Sequence, residues 1–67
     1  MINLTEYIDV ENEVRVIFED NSSIVGRIGT VEDEEESGLG EIGITLYTSD
    51  GGYLGIGQSE IQSIEIL

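Results

Sequence analysis

Carboxylates are the reactive groups that this sequence supplies in quantity, since 15 of its 67 residues are Asp or Glu. The densest group is an uninterrupted run: Glu32, Asp33, Glu34, Glu35 and Glu36. Asp33, Glu35 and Ser37 have the spacing of the first ligands in a calcium-binding loop. Ile44, however, stands where that loop needs a bidentate glutamate. We therefore predict a solvated, exposed loop without a dedicated metal site, while nonspecific binding of divalent cations stays open.

Catalysis needs partner groups that the sequence lacks. The chain contains no Cys, His or Lys, so there is no thiol or amine nucleophile and no histidine to activate a serine. Paired carboxylates would need a cleft, for which so small a domain has little room. The glycines from Gly38 to Gly43 match a dinucleotide-binding spacing, but they follow five acids and open a strand rather than a helix. We predict a noncatalytic protein that uses no cofactor.

Two tyrosines are the candidates for contact with a peptide. Tyr47 and Tyr53 flank the Asp50-Gly51 dipeptide, a strong hairpin signal, so we expect them to face each other across the turn. Such a pair either stabilises the hairpin or forms an aromatic patch for a peptide, and both interpretations stay open. Arg15 and Arg27 alternate with apolar residues on neighbouring predicted strands, where we expect them to balance nearby acids.

The charge of the chain restricts its partners. The formal net charge is −13, with two arginines and no lysine. Such a field repels nucleic acids, whose binding depends mainly on Lys and Arg, and it also repels anionic membrane surfaces. A protein partner with a basic patch suits it better. The N-terminus lacks the basic and apolar regions of a signal peptide, so a cytoplasmic location is expected.

Alternating apolar residues indicate strands with one buried face. Val14, Val16 and Phe18 alternate in this way, and the segment 24–31 combines β-branched residues with two glycines that suit strong bending. The predicted elements are a short helix capped by Asn3, five strands at 13–19, 24–31, 41–47, 53–57 and 62–67, and a helical turn at 58–60. The residues predicted to face inward include Leu4, Tyr7 and Ile8 of the helix, Ile42, Ile44 and Leu46 of the third strand, and Ile64 and Ile66 of the fifth.

Five short, regularly spaced strands predict an all-β fold. A chain of 67 residues has room for one domain, so we assign 1–67 to a single small barrel with a short N-terminal helix. Closure into a barrel would remove exposed strand edges, which are an aggregation hazard in an Ile-rich chain.

Two segments carry a family resemblance. The pattern Val14-x-Val16-x-Phe18-x-Asp20-Asn21, followed by Ile24-x-Gly26-x-Ile28, resembles the first half of an Sm-like domain, in which Gly26 would be the bend glycine of the second strand. The ending from Ser59 to Leu67 is similar to the last strand of many SH3-like and Sm-like barrels. The resemblance implies a five-stranded SH3-like or Sm-like barrel, and it also implies assembly of several copies through the last two strands.

The positions that bind RNA in Sm-like relatives differ here. Those relatives carry an Asn shortly after an Asp, and an Arg-Gly or Lys-His element between the last two strands. This chain has Glu34–Glu36 and Gly57-Gln58-Ser59 at those places. We therefore expect a protein–protein interaction module whose acidic loop steers it to a basic partner. Two alternatives stay open: an acidic nucleic-acid mimic that inhibits a DNA- or RNA-binding protein, and a diverged Sm-like RNA-binding ring subunit.

Overall fold

The computed structural model describes residues 2–67, whose regular secondary structure is mostly β-strand. The strands are β1 (Val14–Phe18), β2 (Ser23–Glu32), β3 (Gly43–Thr48), β4 (Tyr53–Gly57) and β5 (Ile61–Ile66). Two single 3-10 turns, Leu4–Tyr7 and Gln58–Glu60, stand where helical turns were predicted. The prediction of an all-β chain is thus confirmed. In this described part of the chain, no helix has the length and apolar character needed to cross a membrane.

The five strands form one antiparallel sheet in the order β4-β3-β2-β1-β5. The long strand β2 pairs with β1 through its first half and with β3 through the rest, and Gly26 takes part in both pairings. A register shift between Ile28 and Thr30 marks a bulge, which increases the bend and twist of the strand. Within residues 2–67 the outer strands β4 and β5 do not pair with each other, so hydrogen bonds do not close the sheet into a barrel.

The curvature of the sheet explains how so short a chain buries a core. A flat five-stranded sheet leaves one whole face open, yet Val16 and Leu46 are completely buried, and the molecule measures only 27 × 23 × 20 Å. The concave face therefore encloses its own side chains, and Leu4 of the first 3-10 turn packs among them. The buried core consists of Leu4, Val14, Val16, Ile44, Leu46, Ile56, Ile61 and Ile64.

The N-terminal turn differs from the prediction at Ile8. The side chain of Asn3 caps the turn, as predicted, and accepts a hydrogen bond from the backbone N–H of Thr5. Leu4 is buried and Tyr7 packs against the core, but Ile8 is 60% exposed. A 3-10 turn has three residues per turn and aligns positions i and i+3, whereas the prediction assumed an α-helix. The prediction that Ile8 faces inward was therefore wrong.

The last strand also buries a different residue from the one predicted. Ile64 is buried as expected, but Ile66 is 55% exposed although it lies opposite the buried Val14. Because β5 is an outer strand, no neighbouring strand covers Ile66 on its far side. Instead Ile61, which precedes the predicted strand, is buried, because the register shifts where it pairs with Phe18.

Aspartates hold the two hairpin turns. The hydroxyl and backbone N–H of Ser22 donate to Asp20 and lower the pKa of that carboxyl below its ordinary value. The hydroxyl of Thr48 and the backbone N–H of Gly52 lower the pKa of Asp50 in the same way. Because both pKa values are lowered by folding, these carboxylates stabilise the turns at neutral pH. Their contribution is lost as the pH falls through the lowered pKa.

Candidate functional site

The predicted pairing of Tyr47 and Tyr53 is confirmed. The two residues are opposite each other on β3 and β4, and their ring centroids are 6.2 Å apart with a tilt of 53°. This separation and tilt fall in the favourable range for aromatic pairs. Tyr47 is nevertheless 52% exposed and Tyr53 73% exposed. The pair therefore leaves a large part of its aromatic surface to solvent.

Gly29 explains how Tyr47 lies on the sheet. A Cβ atom at position 29 would overlap the ring carbons Cδ2 and Cε2 of Tyr47, so the ring lies directly against this backbone. Gly29 stands at the bulge of β2, where two residues of β2 face one residue of β3. The Tyr47 ring thus packs against the backbone of Gly29 on one side and against the ring of Tyr53 on another.

A carboxylate lies further along the same face. Glu32, at the end of β2, is half-buried, and its Oε1 accepts hydrogen bonds from the hydroxyls of Thr45 at 2.5 Å and Thr30 at 3.1 Å. Glu32 lies opposite Gly43, and Tyr47 stands four residues further along β3. At about 3.3 Å per residue this separation is roughly 13 Å. We call this surface the outer face; its residues are Arg27, which lies opposite Tyr47, Thr30, Glu32, Thr45, Tyr47, Tyr53 and Gly55.

The rest of the acidic run forms a compact turn beyond the outer face. Asp33 Oδ1 accepts hydrogen bonds from the backbone N–H groups of Glu35 at 3.0 Å and Glu36 at 2.8 Å. Asp33, Glu34, Glu35 and Glu36 are all exposed, in keeping with the predicted solvated loop. Among residues 2–67 no three acidic side chains are arranged so that they could hold a metal ion. The structure thus places Glu32 with the tyrosines. The other four acids lie in the separate loop 33–42, which we call the acidic loop.

Two further glutamates have structural roles that the sequence analysis did not identify. Glu41 accepts hydrogen bonds from the backbone N–H and the hydroxyl of Ser59, each at 2.7 Å, and so fastens the end of the acidic loop to the second 3-10 turn. Glu60 accepts from the backbone N–H of Gly57 at 2.9 Å. The three-residue spacing of Gly57 and Glu60 is a capping signal that could have indicated the second contact.

The arginines are both engaged within the chain. Arg15 forms an ion pair with Glu65 across β1 and β5, with 3.5 Å between the charged atoms. Arg27 donates to the backbone carbonyl of Glu11 at 2.7 Å and holds the N-terminal connection against β2. The pair formed by Arg15 is the expected balancing of a nearby acid, whereas Arg27 bonds to a main-chain carbonyl.

A shallow concavity lies beside the β1–β2 turn. Its volume is about 440 Å³, and it is lined by Phe18, Glu19, Asp20, Ser22 and Glu60. Asp20 and Glu60 already accept hydrogen bonds from Ser22 and Gly57. This concavity is a second acidic surface, separate from the acidic loop.

Comparison of the chain with protein-family models, curated proteins and solved structures gives no match. We therefore infer function from the geometry and electrostatics of the chain itself.

Proposed function

We propose that this chain is a noncatalytic module that binds a basic segment of a partner protein through its outer face. The observation that carries the proposal is the exposed tyrosine pair, Tyr47 and Tyr53, held in place over Gly29. Tyrosine is enriched among the residues that dominate binding energy at interfaces, because it offers a large contact area with a polar tip. Both rings keep enough exposed surface to contact a partner as well as each other.

The charge of the chain supports a basic partner. Glu32 lies on the outer face with the tyrosines, and four exposed carboxylates follow it in the acidic loop. With a net charge of −13, the chain attracts cationic segments over a distance of about 8 Å at physiological ionic strength. The acidic loop would speed the encounter, and the tyrosines would supply the short-range contact.

An SH3-like or Sm-like barrel is the fold relationship we propose. It is supported by the N-terminal turn, the five antiparallel strands, the double pairing of Gly26 in β2 and the turn that precedes β5. Assembly of copies through the outer strands β4 and β5 would follow from that relationship. Repulsion between chains of charge −13 opposes such assembly at low salt.

Peptide selection tests the proposed function. Peptides selected from a random display library against the wild-type protein are expected to carry Lys or Arg next to apolar residues. The substitution Tyr53→Ser should weaken their affinity by about 30-fold, the effect of losing an interface residue worth about 2 kcal/mol. The measurement is isothermal titration calorimetry at 150 mM salt.

The matched control is Ile8→Ser, which removes another exposed apolar side chain, one outside the outer face. This variant should keep wild-type affinity, and circular dichroism should show both variants folded. Equal affinities of the selected peptides for wild type and Tyr53→Ser would exclude the outer face as the peptide-binding surface. Inhibition of a nucleic-acid enzyme that does not depend on the tyrosines would instead favour the acidic mimic.

A further inference from the structure

The outer edge of β4 presents main-chain groups that no strand of the described chain takes up. The backbone N–H of Thr48 donates to the carbonyl of Gly52 at 3.0 Å, and that of Gln58 donates to the carbonyl of Ile42 at 2.9 Å. In an antiparallel ladder, hydrogen-bonded pairs alternate with non-hydrogen-bonded pairs. These two bonds therefore show that the N–H and C=O groups of Leu54 and Ile56 form the hydrogen bonds with β3. The N–H and C=O groups of Tyr53 and Gly55 point away from the sheet.

The same edge lacks the usual protection against strand addition. Proteins commonly block an edge strand with a lysine, a proline or a bulge, and β4 reads Tyr-Leu-Gly-Ile-Gly without any of these. A Cβ atom at Gly55 would meet nothing within 4 Å, so the outer face next to the edge is open at this residue. At the end of the strand, Glu60 accepts the N–H of Gly57. The free edge is therefore short and consists of Tyr53 and Gly55.

We propose that an extended, basic segment of the partner adds to β4 as a sixth strand. This inference rests on the proposed function and specifies how the partner binds. Tyr53 is 73% exposed on one side of the edge and Leu54 is 41% exposed on the other, so an added strand would cover apolar surface on both sides. Main-chain pairing would supply affinity, and the flanking side chains would select residues at alternate positions.

Charge complementarity identifies the occupant as basic. The turn before β4 carries Asp50, and the turn after it carries Glu60. Glu32 lies on the adjoining outer face. The cation on that face, Arg27, lies on β2, two strands from the edge, and donates to the backbone carbonyl of Glu11. A second copy of this chain would bring a further charge of −13 to the contact. A lysine- or arginine-bearing strand gains from the same field.

Defined peptides test strand addition directly. The probe is an acetylated and amidated heptapeptide of alternating lysine and valine, and its comparison peptide has N-methyl groups on every second amide. The unmodified peptide is expected to slow hydrogen exchange at the amides of Tyr53 and Gly55 by at least about tenfold. The N-methylated peptide keeps the charge but loses one row of donors, so it should bind at least about tenfold more weakly. Equal binding of the two peptides would overturn the inference.

Two substitutions at position 55 test whether peptide binding needs the outward N–H group of this residue. Proline is tolerated in an edge strand where the N–H faces solvent, so Gly55→Pro should fold while removing the outward donor. Gly55→Ala keeps that donor and has space for its Cβ, and it serves as the control. We expect Gly55→Pro to bind the unmodified peptide at least about tenfold more weakly than Gly55→Ala.

The outcomes separate this inference from the proposed function. Peptide binding that requires Tyr53 but leaves the exchange of the Gly55 amide unchanged would overturn strand addition and retain the outer face as the binding surface. No binding of any basic peptide would overturn both. Protection of Tyr53 and Gly55 without peptide, increasing with protein concentration, would assign the edge to a second copy and overturn the proposed occupant.

Discussion

Replacing Gly26 by alanine is expected to destabilise the protein by about 3 kcal/mol, the upper part of the range for overpacking. An added Cβ would overlap the backbone carbonyl oxygen of Tyr47 and lie 3.0 Å from Cγ of the buried Leu46. Because Gly26 pairs with both Val14 and Thr48, its backbone is held by strands on either side and has little room to move. Domains of this length have total stabilities on the order of 3–10 kcal/mol, so the variant should lose roughly a third or more of its stability and unfold at a lower urea concentration than wild type.

Urea denaturation of Gly26→Ala and Gly55→Ala, followed by circular dichroism, checks this expectation. Both glycines lie in strands, but only Gly55 has open space beside it. The free energy of unfolding of Gly55→Ala should therefore stay within about 0.5 kcal/mol of the wild-type value. Equal midpoints for the two variants would show that the close approach at Gly26 is not needed for the bend.

Truncation of Leu46 to alanine should have an effect of similar or larger size, about 3–5 kcal/mol. Leu46 lies in the middle of β3 with no exposed surface, and it belongs to the cluster that the curled sheet encloses. The substitution removes apolar contacts and leaves a cavity that the surrounding strands can only partly fill. Thermal and urea unfolding of the purified variant would measure the loss.

Leu54 offers a matched control for this substitution, because it is the direct partner of Leu46 on β4. It has the same side chain but is 41% exposed at the open edge. We expect Leu54→Ala to cost less than half as much stability as Leu46→Ala. If the two substitutions were equally costly, β4 would be covered on its outer side, contrary to an open edge.

Local patterns predicted most of the architecture. The alternation of Val14, Val16 and Phe18 indicated a strand, because successive side chains in a strand point to opposite faces. The Asp50-Gly51 dipeptide located the β3–β4 turn, where Gly51 has a φ of +89°. Tyr47, three residues before this dipeptide, and Tyr53, two residues after it, were therefore expected to face each other. Each of these inferences depended on neighbours in the sequence only.

The errors came from contacts between distant segments. The burial of Ile61 and the exposure of Ile66 depend on a register shift against β1 and on the outer position of β5. Neither feature leaves a periodic signal in the segment itself. An open sheet was likewise not foreseen, since closure was inferred from the general hazard of free edges.

In the candidate site, too, some features could be predicted from neighbouring residues and others depend on contacts between distant segments. The exposed character of the acidic loop followed from five consecutive carboxylates, which cannot all be buried. The place of Glu32 on the outer face, bonded to Thr30 and Thr45, depends on the bulge in β2 and could not be read from the run. The outward direction of the main-chain N–H and C=O groups of Tyr53 and Gly55 could be inferred only from the pairing of β3 with β4.

Backbone chemical-shift mapping tests the central claim, that the outer face binds a basic segment. The measurement is a series of two-dimensional amide spectra of the wild-type protein during titration with a selected basic peptide at 150 mM salt. The account predicts that the largest shifts occur at Glu32, Tyr47, Tyr53 and Gly55. Largest shifts at Phe18, Glu19 and Asp20, around the separate concavity, would contradict it.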